Sequence, residues 1–550
     1  MDNQRWFDNF RKSKEYTFLH KKPIAYFSIE YALSDALPTY AGGLGILAGD
    51  YIKELWDQKI PAVAVGMYYQ KRYGFDPSAT DSNAPLITPE LQELVPVVDE
   101  NNKRVIVTIP LAEGDVFAKA WLWQKDSIKV YLLDTNVEEN TEEAKNICLE
   151  LYAADKDMRF KQEMILGIGG FRLLEALTIQ PSLYHMNEGH SALLGLEIIR
   201  HEMQKRKIGF ESAKKLASHH VIFTNHTLVP AGNDIFSSGM LSIALNRYAG
   251  EMNVPVQSLV DLGIITDTHD FSMSIMAMRV AGKINGVSKL HAEVAVKVWP
   301  EFSFQPVTNG VHIPTWEATV EHTTGKKNLL QYINKISGNT WGENELLLGW
   351  ARRFVLYKRP LALFEEIDRF NAIAKSANRP LRVVIAGIAH RSDDGGKELM
   401  YTLQQYIENV LKGSVVYLQG YNRTIAKLLL QGCDVWLNTP VVGSEACGTS
   451  GMKASLNGAL ALSTKDGWMA EVDISEIGWE VDSERVTDSL LQILENDIIP
   501  TYYSDASSKW ISLQENGKKL IKDCFSTTRM LKDYFETTYL PILTSSYAHY

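Results

Sequence analysis

Four cations crowd into eight residues of ARRFVLYKRP, residues 351–360: Arg352, Arg353, Lys358 and Arg359. In a protein of formal net charge −10, such a cluster either forms a solvated edge or meets an anion. Arg353 and Lys358 are five positions apart, so a chain turning from strand to helix between them brings both to one phosphate. A second string, GSEACGTSGMKASLNGALALSTKDGW at residues 443–468, sets Glu445, Gly448, Thr449, Ser450, Gly451 and Lys453 in a small-residue turn opening a helix. Backbone N–H groups and hydroxyls there suit an anion. It is not a P-loop, because GxxxxGK[ST] fails. Lys453 beside such a turn has three readings: a charge on a phosphate, an exposed helix lysine, or an amine forming an imine with pyridoxal phosphate. Chemistry alone leaves the three open.

YAGGLGILAGD, residues 40–50, brings Gly42, Gly43 and Gly45 to a helix start. Gly43, Gly45 and Ala48 satisfy the loose GxGxxA spacing, but the next strand, IPAVAVG, lacks the acidic residue that takes ribose hydroxyls. A close-packed turn or a phosphate or sugar-hydroxyl contact remains. YHMNEGHS (184–191), FTNHTLVP (223–230) and VTNGVHIP (307–314) each place a His or Asn at a predicted strand end. Helical HxxxH spacing is absent, so no metal is expected. No GxSxG elbow occurs, and Cys447 reads as a packed small residue.

These residues need elements to hold them. Short apolar runs predict buried strands at 24–28, 62–66, 105–109, 130–133, 221–224, 382–386, 415–418 and 434–437, with helical periodicity between, as over 191–205 and 360–374. The alternation implies α/β architecture with parallel sheets. It is cleanest from Leu347 to about Ile474, one doubly wound domain. The polar 76–104 stretch reads as an insertion. Expected boundaries are an N-terminal α/β domain over 1–310, a linker or shortened insertion over 311–346, a second doubly wound domain over 347–525, and a helical segment over 526–550 that packs back on the first. Of 550 residues, 45% are hydrophobic and 22% charged, as in soluble globular chains. Acidic and basic residues number 66 and 56, a balance that draws neither nucleic acid nor anionic membrane. Without an apolar leader or a run near ~18 apolar residues, the expected address is the cytoplasm. Four scattered cysteines form no disulfide or zinc pattern. The 24 Tyr and 12 Trp serve core packing or stacking on sugar rings.

AYFSIEY, YAGGLGILAGDY, MRFKQEMILGIGGFR, YHMNEGHSAL, FTNHTLVPAGND, NGVSKLHAEV, VTNGVHIPTW, ARRFVLYKRP and EACGTSGMKASLNG, in that order, resemble the α-glucan (glycogen and starch) phosphorylase family, most closely its short bacterial branch. The resemblance implies a glycosyltransferase-B architecture, two Rossmann-like domains facing across a deep cleft, and phosphorolysis of the non-reducing end of an α-1,4-glucan or maltodextrin to α-D-glucose 1-phosphate with retention. It implies pyridoxal 5′-phosphate on Lys453, its phosphate held by Thr449, Ser450 and Gly451, with Arg352 and Arg423 reaching toward it. Arg353 and Lys358 match residues that bind substrate phosphate, with the backbone of Gly43 closing over it. His226 and Asn309 match positions around the 6-hydroxyl of the reacting glucose; Tyr357, Glu445 and Gly448 match those on its other hydroxyls. Inorganic phosphate both protonates the departing oxygen and attacks, which fits clustered cations better than the paired carboxylates of a hydrolase. A homodimer is a further expectation.

Two departures stand out. Only 44 positions separate Asn309 from Arg353, fewer than expected in the family, and Cys447 replaces the usual small hydroxyl residue. The competing expectation is a nucleotide-sugar-dependent glucan synthase, its donor diphosphate in the 448–453 turn. An imine-forming Lys453 separates the two.

Overall fold

Apolar runs such as IAYF and AVAVGM are buried along their whole length, which suits strands covered on both faces and therefore parallel pairing. A computed structural model describes residues 3–34, 37, 39–71, 94–228, 233–390, 393–504 and 507–547. It divides into two units, one comprising Met1–Val287, Ala292–Val307 and Met530–Tyr550, the other Ser288–His291 and Thr308–Arg529.

The first unit is built on a ten-stranded sheet. Its parallel part runs, in spatial order, Gln305–Pro306, Lys283–Gly286, Val221–Asn225, Leu183–Asn187, Ile24–Phe27, Ala62–Met67 and Ile128–Asp134. Antiparallel strands, chiefly Gly114–Lys125, extend one edge. From Ile24–Phe27 the chain winds outward one way and then, from Leu183–Asn187, the other, so the winding reverses between these two neighbours. Alternate residues feed separate cores: Ala25 and Phe27 one, Ile24 and Tyr26 the other. The second core is closed by the helix Gly43–Asp57 and by Met530, Leu531, Tyr534, Phe535 and Tyr539 from the chain's end. There His185 Nδ1 lies 2.7 Å from the Tyr539 hydroxyl and Nε2 2.6 Å from Thr224 Oγ1. Burial pushes the His185 pKa down to about 3, so the ring is neutral. Of the expected 76–104 insertion, residues 76–93 lie outside the described residues, as do 229–232 of the FTNHTLVPAGND string.

The second unit carries six parallel strands in the order Val415–Leu418, Leu381–Ala386, Leu346–Ala351, Val435–Asn438, Leu460–Ser463 and Gly478–Glu480. Its winding reverses between Leu346–Ala351 and Val435–Asn438, the doubly wound pattern of nucleotide-type sheets. Residues 311–346, expected as a linker or shortened insertion, hold the helix His322–Ser337, which packs on Arg423–Gly432. Close approach needs glycine on both: a Cβ at Gly325 would sit 2.4 Å from Gln431 O and one at Gly432 2.7 Å from Leu329 Cβ. Buried Lys326, 2.6 Å from Asp434 Oδ2, ties the helix to the sheet. The helix expected over 360–374 is instead a turn at Ala362–Phe364 followed by Ile367–Ala374. Leu363 and Phe364 enter the core there, and tertiary packing overrides the helical period. Among the described residues, no helix is long and apolar enough to cross a membrane.

Candidate active site

In open α/β sheets, ligands bind beyond the carboxyl ends of the strands where the winding reverses. In the second unit the residues leaving Ala351 at that point are Arg352 and Arg353. Arg352 Nη2 pairs with Glu445 Oε1, and Lys358 Nζ lies 3.2 Å from the same oxygen. The Val441 N–H donates to Tyr357 O at 2.8 Å, joining the two strand-end loops. Asp466 fixes the second loop by accepting the N–H groups of Gly443 and Glu445, each at 3.0 Å. Gly448 has no room for a side chain, since a Cβ would stand 2.6 Å from Glu445 Oε1 and 2.7 Å from Arg352 Nη2.

Two cations thus share one carboxylate; Arg352 is buried, while the neighbouring Arg353 is exposed. Burial and the neighbouring Arg352 lower the Lys358 pKa to about 8, against the opposing pull of Glu445. Burial works to raise Glu445, but Arg352 and Lys358 outweigh it and hold the carboxyl below its ordinary range. Burial, then Glu445, pushes the Tyr357 phenol up.

The helix Ser450–Leu456 places Lys453 one turn inside. Its side chain is 5% exposed in sum; Nζ donates to Thr449 Oγ1 at 3.0 Å and lies 4.2 Å from the centre of the Trp316 ring. Asn457 Nδ2 holds that tryptophan through its carbonyl at 2.9 Å. Asn309 Nδ2 donates to Cys447 O at 3.3 Å, and burial pushes the Cys447 thiol up. Arg423 opens the helix Arg423–Gly432, which follows Val415–Leu418, with its Nε and Nη1 buried. Arg352 Nη1 and Glu445 Oε2 are buried without a hydrogen-bond partner. A buried amine at a helix start and, in the same unit, a guanidinium nitrogen without a partner are the groups that suit a ligand carrying an aldehyde and a phosphate, as pyridoxal phosphate does.

The first unit gathers its polar residues at its own reversal point. Asn187 Nδ2 donates to Ser28 Oγ at 3.1 Å, tying the two strand ends together. His226 Nε2 is 2.6 Å from Asn187 Oδ1; a carbonyl oxygen only accepts, so Nε2 carries the proton. Glu188, at φ 73°, takes the His226 N–H at 2.9 Å and the Gly189 N–H at 3.0 Å. Burial raises its pKa to about 7 in spite of those two bonds. Glu163, His190 and Asp234 lie nearby in sequence motifs and within 4.8 Å of one another, but Arg159 Nη2, 2.9 Å from Asp234 Oδ2, already supplies the cluster's cation. Gly43 opens the helix Gly43–Asp57, and a Cβ there would meet nothing within 4 Å.

A family model described as carbohydrate phosphorylase matches residues 136–348 and 315–487. The chain is 33% identical to the maltodextrin phosphorylase of Thermococcus litoralis, with 96% of this chain and 71% of the relative covered. The chain belongs to the carbohydrate phosphorylase family. It is also 32% identical to the glycogen phosphorylase of Aquifex aeolicus, over 97% of this chain and 88% of that one. An uncharacterized protein of Methanocaldococcus jannaschii is 29% identical and covered from end to end.

Within the phosphorylase-family chain, the structure joins Arg352, Lys358, Glu445 and Gly448 in one cluster, Lys453 with Thr449, and Asn309 with the Cys447 backbone. Arg353 is near the first group in sequence but points to no carboxylate among the described ion pairs. His226 and Gly43 belong to the other unit. Sequence reasoning took YHMNEGHS for its His and Asn and missed the part of Glu188, which accepts the two backbone N–H groups. It also missed Asp466, although the Asp-Gly of KDGW signals a turn whose carboxylate accepts backbone N–H groups.

Proposed function

We propose that this chain is an α-1,4-glucan phosphorylase that cleaves the non-reducing end of a glucan or maltodextrin with inorganic phosphate and releases α-D-glucose 1-phosphate with retention. The observation that carries the reading is the Arg352–Glu445–Lys358 cluster at a strand-end reversal, in the same unit as the buried Lys453 of the Ser450–Leu456 helix. In this proposal, which follows the family, the two units are the Rossmann-like halves of a glycosyltransferase-B architecture.

Arg353 and Lys358 hold the substrate phosphate, and their charge offsets the repulsion between it and a second phosphate nearby. Gly43 offers its N–H to the same anion. His226 and Asn309 orient the reacting glucose through its 6-hydroxyl, while Tyr357, Glu445 and Gly448 line its other hydroxyls. The bond from C1 to the glycosidic oxygen breaks as the departing oxygen takes a proton from phosphate, and a bond from C1 to a phosphate oxygen forms on the same face. Pyridoxal phosphate, when bound, supplies its phosphate group as a proton and charge partner. Lys453 would hold that cofactor, with Thr449, Ser450, Gly451, Arg352 and Arg423 around its phosphate.

Incubation with maltodextrin and phosphate should release glucose 1-phosphate. Borohydride reduction should fix a pyridoxyl group to Lys453, read by peptide mass. A protein inert with glucan and phosphate but active with a nucleotide sugar, and with unmodified Lys453 after reduction, would sink the proposal.

A further inference from the structure

The glycine turn at residues 40–50 is built around a carboxylate. Glu30 lies just beyond the strand Ile24–Phe27 and is 1% exposed. Its Oε2 accepts the N–H groups of Ala41 at 2.5 Å and Gly42 at 3.3 Å. This explains Gly45, where a Cβ would stand 2.7 Å from Glu30 Oε2 and 2.6 Å from Tyr40 Cβ. Any side chain there would displace the carboxylate or the turn.

The other oxygen, Oε1, accepts the Tyr152 hydroxyl at 2.7 Å. Tyr152 sits at φ 60°, a left-handed conformation that a bulky residue keeps only where its surroundings enforce it. The Arg159 guanidinium lies over its ring, 4.3 Å from the centre, and is itself held by Asp234 at 2.9 Å. A strained tyrosine, braced by an ion pair, therefore ends on the carboxylate that organises the turn.

We propose that Glu30, held by Tyr152, is a positioning residue for phosphate. It engages the two N–H groups that precede the helix and aims those that follow, from Gly43 on, at the substrate anion. The proposal rests on the phosphorylase reading of Gly43. N–H groups in a first helical turn have no acceptor within the helix, and donors fixed in advance bind an anion without an ordering cost. The Glu30 charge opposes an anion nearby, which gives the proposal a sign: the gain from a fixed turn exceeds the repulsion.

The test is Glu30→Gln in the full-length, cofactor-loaded enzyme, with Tyr152→Phe as the milder variant. In Glu30→Gln the phosphate KM should rise about tenfold to a hundredfold, the glucan KM should stay within about twofold, and kcat at saturating phosphate should hold. Tyr152→Phe should shift the phosphate KM the same way by less. The rise in melting temperature that inorganic phosphate gives the wild type should shrink in both variants. An unchanged phosphate KM overturns the proposal, and a lowered one shows that Glu30 competes with the anion. Equal rises in both KM values mean a merely structural role. If Glu30→Gln does not fold, an unchanged phosphate KM in Tyr152→Phe overturns the proposal alone. A wild type that yields no glucose 1-phosphate overturns the phosphorylase reading itself, and this inference with it.

Discussion

Lys358 is the residue whose environment makes the sharpest demand. Its ammonium has lost solvent and faces Arg352, so its pKa falls to about 8. A lysine is charged below its pKa, so the proposed phosphate site has this cation at neutral pH and loses it as pH rises through that value. Phosphate KM should climb above pH ~8 while glucan KM does not. Lys358→Arg, whose guanidinium stays charged, should flatten that alkaline limb; an unaltered limb would assign it to another group. Lys358→Ala should raise the phosphate KM by about tenfold or more at every pH with little effect on glucan. At this scale the sequence was informative about type: the crowding of Arg352, Arg353 and Lys358 calls for negative charge, and Glu445 meets two of the three. It was silent on pairing, because the Arg352–Glu445 contact joins residues 93 positions apart that only the sheet order makes neighbours.

At the scale of elements, the helix Gly43–Asp57 shows how two glycines with similar sequence surroundings do different work. A Cβ at Gly49 would stand 2.3 Å from Ala32 O, whereas one at Gly43 meets nothing within 4 Å. Gly49→Ala should therefore destabilise the protein by about 1–3 kcal/mol through overpacking, seen as a lower melting temperature. Gly43→Ala should melt like the wild type and lose phosphate affinity alone. Equal melting of the two variants would show that the helix tolerates displacement from the 28–34 segment. The positions of the main strands were legible from short apolar runs, because burial on both faces leaves a contiguous signal. The 360–374 helix was misread because Leu363 and Phe364 obey the core of the second unit and not the helical period. The 311–346 stretch reads as linker or shortened insertion, and the burial of its helix depends on glycines at its contact with the helix Arg423–Gly432.

For the whole molecule, the chain's last segment is the clearest dependency. Met530–Tyr550 belongs with the first unit, where Tyr534, Phe535 and Tyr539 pack on Phe7, Phe10 and Tyr26. A chain ending at Arg529 should lose the near-ultraviolet circular dichroism of the first unit and become open to proteolysis there, while the second unit, which keeps its whole sheet, resists. A protected first unit would show that its core closes without that segment.

Residue type, local period and the order of nine strings were enough to determine the α/β class and the family, and to single out residues 351–360 and 443–453 as candidates for anion binding, because each depends on neighbours within a few positions. Tertiary structure decided the rest. Which carboxylate meets Arg352 and Lys358, which glycines face a backbone and which face open space, and which acid organises the turn before Gly43 all depend on strand order. A reversal in winding brings together residues as far apart as Ser28 and Asn187, or Arg352 and Glu445. No local pattern records that distance, since the chain between them encodes its own helices and strands.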